Sequence, residues 1–417
     1  MKKIITSFLF LTIPMLASAY YAKIGGIYYN LNKSSNEAEV TYQLFENYIY
    51  SSDYSGVVDI PPKFTYEGVE YLVTSIGKRA FSGCSSLTLL TIPNSVTTIG
   101  EGALAGCNSL KMLTIPQSVT NIGDCAFLNC SGMTSVTIPN SVSSIGNQAF
   151  QNCSGLLSII IPNSVQTIGN MAFSGCSSLT SITIPNSVTS INNFTFSSCG
   201  GLISVTIPNT ISSIGDYAFS NCTSLNTLII PNSVSSIGEG AFGGCTSLTS
   251  LIIPNSVNNI GESAFHNCYN MKNITLPDKL TIIRKSTFQN CRSLAEVIIP
   301  AKVETIYAEA FAGCSSLKSV TSQATVPAVA YENTFANYSI PLYVPDESLN
   351  DYKTTLPWSM FETILPISSE TKIENTTIQE AEEKDRYSLD GIKSGNSKKG
   401  LNIIRMSDGT VKKVVVK

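Results

Sequence analysis

Histidine occurs once in this chain, at His266, and tryptophan once, at Trp358. A single imidazole gives His-based acid–base or nucleophilic chemistry almost nothing to build on, and it leaves zinc short of nitrogen ligands. Charge is scarce as well: Asp, Glu, Lys and Arg together make 13% of the residues. No basic stripe is present, which speaks against nucleic acid as a partner. After the first residues, no apolar run approaches the roughly 20 residues that a spanning helix needs. The glycines are scattered and do not form a phosphate-cradling loop after a strand. With 43% hydrophobic residues the chain nevertheless has the material for a large core, and the composition is not that of a disordered protein.

What it has in abundance is repetition. Cysteine recurs every 23 residues from Cys84 to Cys314, and proline keeps the same beat from Pro93 to Pro300. A fixed period of this length marks a stacked solenoid, in which no single unit can bury its own apolar face. The stretch Leu179–Cys199 shows the unit. Leu179, Ile182 and Ile184 alternate as the inward side of a strand, with Thr183 outward. Pro185 cannot donate to a ladder and stops that strand. Asn186 and Ser187 suit a turn stabilised by side-chain bonds to the backbone. Val188 and Ile191 predict a second short strand on the return face. Glycine usually follows, as at Gly169 and Gly215, where a positive φ or a close approach is expected. An Asp, Glu or Asn then precedes Ala-Phe, which suits a capped, single helical turn.

The unit L-x-x-[ILV]-x-[IL]-P-N-S-V-x-x-I-G-[DEN]-x-A-F-x-x-C resembles the BspA-like subtype of leucine-rich repeat found in bacterial surface proteins, over about residues 64–322. The resemblance implies a mainly β leucine-rich-repeat solenoid, a right-handed superhelix with one or two short strands and a short helical turn per repeat. It also implies a surface-displayed protein that adheres to host matrix proteins, host cells or other bacteria. The unit departs from the general leucine-rich pattern: proline follows the third apolar position, and asparagine comes one residue early. The usual internal asparagine ladder is therefore not expected.

Residues 1–19 read as a secretory signal, with Lys2 and Lys3, a short apolar stretch, and Ala17-Ser18-Ala19 as the cleavage site. Removing Lys2 and Lys3 takes the formal charge from −3 to −5. Residues 20–63 alternate in the manner of strands and predict a β-rich N-terminal cap; 64–322 form the array. Residues 323–365 predict a C-terminal cap with one last strand, a short helix and an aromatic plug around Trp358. Residues 366–385 read as a flexible linker. Residues 386–417 read as a β-hairpin tail through Asp408-Gly409. That tail resembles the end of Bacteroidetes-type secretion sorting domains, which implies export or surface attachment; a hairpin that merely packs is the other reading.

Few residues invite chemistry. The cysteines stack in register, pointing in parallel, so they read as buried small hydrophobes instead of a disulfide framework. Cys125 lies off the column and is expected to face outward. The acidic column Glu101, Asp124, Asp216, Glu239 and Glu262 reads as caps of the helical turns before it reads as calcium ligands. No catalytic residue, cofactor or metal site is assigned. An enzyme hidden in 20–63 or 323–417 would have to work without histidine. The candidate binding face is the outward side of the first strand: Thr91, Thr114, Thr137, Thr183, Thr206 and Thr275. Uncharged, regular and poor in aromatics, it suits a broad multivalent contact with a protein or cell-surface macromolecule, or else no ligand at all, as in a structural element of the cell envelope.

Overall fold

The computed structural model describes residues 20–44, 50–51, 54–370, 383–387, 400–406 and 411–416. The expected leader, the middle of the linker and the turn of the tail hairpin lie outside these residues. The chain is a mainly β solenoid of about 13 turns. Among the described residues no helix is long and apolar enough to cross a membrane.

Each turn has three sides. On the first, strands such as Met112–Thr114 and Ser135–Thr137 pair in parallel, Thr114 opposite Thr137. On the second, two-residue strands such as Ser144–Ile145 and Thr167–Ile168 pair in the same way. The third side carries the expected short helical turn in another form. Amides there alternate: Cys125, Phe127 and Asn129 donate to Asn147, Ala149 and Gln151 of the next turn, at 2.8, 2.7 and 2.8 Å. Those between them, Ala126, Leu128 and Cys130, close tight turns onto the residue three earlier. Cys125 (φ 55°) and Asn129 (φ 60°) are left-handed, and a right-handed helix cannot pass through such residues.

Period 23 places like residues one above another. The rings of Phe150, Phe173 and Phe196 are fully buried and stack with centroids 5.4 and 5.6 Å apart, 1° and 4° from parallel. Truncating one buried ring to alanine costs about 3–5 kcal/mol. The cysteines do more than fill space. Cys153 Sγ donates to the Phe127 carbonyl at 3.1 Å and Cys176 Sγ to that of Phe150 at 3.2 Å, so each carbonyl accepts from the thiol of the next turn. The turn serine also bonds across turns: Ser141 Oγ donates to Val119 O at 2.6 Å.

Glycine at the end of the second strand serves close approach. Its φ is not left-handed, and a Cβ at Gly169 would lie 2.5 Å from the amide nitrogen of Asn147. Where Asn192 takes this place, its Nδ2 donates to the Ile168 carbonyl at 2.6 Å, a role the backbone amide plays elsewhere (Gly169 to Ile145 O, 2.9 Å). The sheet that ends at Thr167–Ile168 does not continue into Ser190–Ile191. Arg284 marks a second interruption, between Asn259–Ile260 and Ile282–Ile283. Both turns also replace alanine by threonine, whose hydroxyl bonds the carbonyl three residues back (Thr195 to Asn192 and Thr287 to Arg284, each 2.7 Å). Tyr307, with Ala310 after it, keeps the backbone bond to Ile283 O at 2.8 Å.

Both ends are covered. Strands Tyr20–Ile24, Ile27–Asn32 and Glu37–Thr41 form an antiparallel meander whose last strand joins Val69–Ile76 in parallel. At the other end Phe335 continues the ring column, and Trp358 and Phe361 close over it at 5.7 and 5.4 Å. Trp358 Nε1 donates to Ala328 O at 2.7 Å, and Tyr352, on the helix Leu349–Thr354, donates its hydroxyl proton to Ala324 O at 2.9 Å. The first residues assigned to the linker belong to this end: Pro366 completes the strand Thr363–Pro366, the helix Ile367–Glu370 follows, and Ser368 Oγ donates to Asp346 at 2.7 Å. Further on, Glu383–Tyr387, Gly400–Met406 and Val411–Val416 make a three-stranded antiparallel sheet.

Two predictions follow from this packing. Gly169→Ala forces backbone apart in a close-packed stack, so urea unfolding should show a loss of about 1–3 kcal/mol; an unchanged midpoint would contradict the close approach. Among the described residues none of the twelve cysteines forms a disulfide, and burial pushes the thiols of Cys199, Cys268 and Cys314 up to about 12. The melting temperature should therefore be the same with and without a reductant, and a drop on reduction would count against free packing thiols.

Candidate functional site

The six threonines of the predicted face, Thr91, Thr114, Thr137, Thr183, Thr206 and Thr275, are all exposed. They do not share one continuous sheet. Thr114 and Thr137 lie in one, Thr183 and Thr206 in a second, Thr275 in a third, and Thr91 pairs with Asp59 in a fourth. Thr91 Oγ1 donates to the Asp59 carboxylate at 2.5 Å. The same column carries Ile160, 83% exposed, with Ile229 and Ile252 at 71% and 67%. The face is thus a file of β-branched side chains, six threonines interspersed with isoleucines, with no charge between Thr91 and Ile298.

A shallow groove of about 540 Å³ runs along the second side of the turns. Gly100, Gly123, Gly146 and Gly169 form its floor, because glycine leaves nothing standing there. Thr98, Asn121, Ser144 and Thr167 line one wall, Glu101, Asp124 and Asn147 the other, and Asn192 lies at its far end.

The acidic column has a different role from the expected helix caps. Asp124 Oδ1 accepts the backbone N–H of Asn147 at 2.7 Å, and Asn147 Oδ1 that of Asn170 at 2.9 Å. The relay continues through Asn193 and Asp216 to Glu239, whose N–H donates to Asp216 at 2.9 Å. With no helix to cap, each side-chain oxygen holds the next turn instead. This is an asparagine–aspartate ladder after all, moved to an exposed column. Among the described residues no three His, Cys, Asp or Glu side chains come together to hold a metal ion.

One feature escaped the sequence reading. Every repeat needs a left-handed residue twice. The later place holds only glycine, asparagine and one serine, Ser198. The earlier holds Arg79, Cys125, Gln148, Met171, Phe194 and Tyr217 among others, all with φ between 53° and 57°. A side chain other than Gly or Asn costs roughly 1–2 kcal/mol there. The available signal was a free choice of residue at one fixed place in an otherwise strict repeat. Cys125 belongs to this column. It is partly buried, its Sγ donates to Gln148 Oε1 at 3.2 Å, and burial, with Asp124 and Glu101 nearby, pushes its thiol up. His266 stands apart, its Nδ1 on Ser263 O at 2.7 Å and its ring above Gly243, with no nucleophile or carboxylate bonded to it.

A family model, the BspA type leucine rich repeat region, matches residues 63–177, 143–239 and 213–341, in six copies. Among solved structures, the chain is similar to a leucine-rich repeat protein from Bacteroides ovatus, 30% identical, with 84% of this chain and 100% of that one covered and a TM-score of 0.61. A leucine rich cell surface protein from Faecalibacterium prausnitzii is 26% identical, with 86% and 97% covered and a TM-score of 0.45. A comparison with curated proteins gave no match. The family model spans well over half of the chain, and the columns it describes are those that build the core; the chain belongs to the BspA-type leucine-rich repeat family.

Proposed function

We propose that this is an exported, non-catalytic recognition protein of the cell surface, which adheres to host or bacterial macromolecules through its repetitive outer faces. The observation that carries the reading is the exposed, uncharged file of threonine and isoleucine on the first strand. Each such contact is weak, since aromatic and arginine anchors are missing from the file. Repeated at strand spacing, roughly 4.8 Å, weak contacts to a polymeric or clustered partner add up to useful avidity. The leader at residues 1–19 and the repeat family support a place outside the cell, and the tail at 386–417 serves as its sorting or attachment segment.

Binding of the purified chain to matrix proteins, host cells and bacterial surfaces tests this. Thr137→Glu, Thr183→Glu and Thr206→Glu together should weaken the adhesion found by roughly tenfold or more, with little change in melting temperature because all three side chains point outward. No adhesion to any of these surfaces, or adhesion indifferent to the three changes, would sink the assignment of this face. Deleting residues 386–417 should leave the melt of the solenoid unchanged and remove the protein from the reach of protease on intact cells. Undiminished shaving by protease would show that the tail does not direct display.

A further inference from the structure

The two left-handed places in each turn pose the same backbone requirement and receive different answers. At one, the chain uses the residues that tolerate it. At the other, five successive turns carry Cys125, Gln148, Met171, Phe194 and Tyr217, an avoidable cost repeated five times. Strained positions kept against an easy alternative are where a fold holds side chains for use.

These five side chains form one ridge. Cys125 Sγ donates to Gln148 Oε1 at 3.2 Å, and Gln148 Nε2 donates to Met171 Sδ at 3.5 Å. The rings of Phe194 and Tyr217 stack with centroids 4.9 Å apart and planes 12° from parallel. All five remain partly exposed, whereas the Phe column two residues on is fully buried. Met, Phe and Tyr are the residue types that concentrate binding energy, and the predicted threonine face lacks them. Carboxylates flank the ridge at both ends: Asp124 beside Cys125, and Asp216 beside Tyr217, whose hydroxyl bonds the Glu239 carboxylate. Between them stand only asparagines, and the nearest cations in these two columns, Lys78, Arg79 and Lys285, lie outside the five turns.

We infer that this ridge is a docking surface for an extended, cationic segment of another polypeptide, with apolar side chains on Met171, Phe194 and Tyr217 and arginines at the carboxylates. Guanidinium suits both partners, since it pairs with carboxylate and stacks on aromatic faces. The inference rests on the recognition role proposed above, and assigns it a second surface.

The test exploits the strain. Asparagine tolerates the left-handed conformation, so Met171→Asn, Phe194→Asn and Tyr217→Asn together remove the ridge without removing what the backbone needs. The probe is a short synthetic peptide of alternating arginine and leucine, with an arginine–serine peptide as control, titrated against the full chain. The arginine–leucine peptide should bind, the control should bind at least tenfold more weakly, and the triple Asn variant should lose roughly thirtyfold in affinity while its melting temperature holds or rises. Equal binding of both peptides, or a triple variant that melts lower and binds as before, would overturn the inference and leave the column as internal packing. The triple Glu variant of the threonine face should bind the peptide normally. Loss of adhesion in that variant, with no effect of the ridge variant on peptide or adhesion, would refute the ridge and keep the recognition role.

Discussion

Backbone hydrogen bonds between successive turns bring each residue against its own counterpart one repeat away, and nearly everything else in the molecule depends on that spacing. A residue can recur only if it packs well against itself. Phenylalanine does, as offset parallel rings. Cysteine does, because its thiol is small and finds the carbonyl of the preceding turn. Glycine does where the backbones come closest. Charge does not: two like charges at roughly 4.8 Å repel by about 1 kcal/mol even at the dielectric of water. The low content of charged residues is thus a consequence of the architecture. In the acidic column the run is broken by Asn147, Asn170 and Asn193 and bounded by Lys78 and Lys285, the former paired with Glu101 at 2.7 Å.

How much was legible in the sequence depends on what periodicity encodes. It shows which positions are alike, so the phenylalanine, cysteine, proline and glycine columns were readable from spacing, and the family from the resemblance of the repeated letters to the BspA-like unit. Even the irregularity at Asn192 and Thr195 could be located, and the second-strand sheet does divide there. Periodicity does not show the sign of φ. The segment around Phe127 reads as a helical turn from Asp-x-Ala-Phe, but the left-handed residues at Cys125 and Asn129 make it a laddered side of the solenoid. The glycine or asparagine that precedes every cysteine of the column except Cys199 held that information. The acidic column was misread for the same reason, since a cap requires a helix.

The candidate face was legible only in part. Alternation placed the threonines outward, and they are outward. It could not show that their strands fall into separate sheets, because the breaks leave no mark in the repeated letters. The first side is the loosest of the three, while the third keeps its turn-to-turn bonds through long runs of the array. Residue type is free to vary on the surface columns because the core columns settle the fold.

Native-state hydrogen exchange, read residue by residue, tests this picture most directly. The amides of Phe127, Phe150 and Phe173, which donate to the next turn at 2.7 to 2.9 Å, should exchange slowest. Those of Thr180 and Thr249, where the first-strand sheet divides, should exchange markedly faster than that of Ile203, which donates to Thr180 O at 2.8 Å. Uniform protection around each turn, or fastest exchange on the phenylalanine side, would contradict a stack held chiefly by its second and third sides.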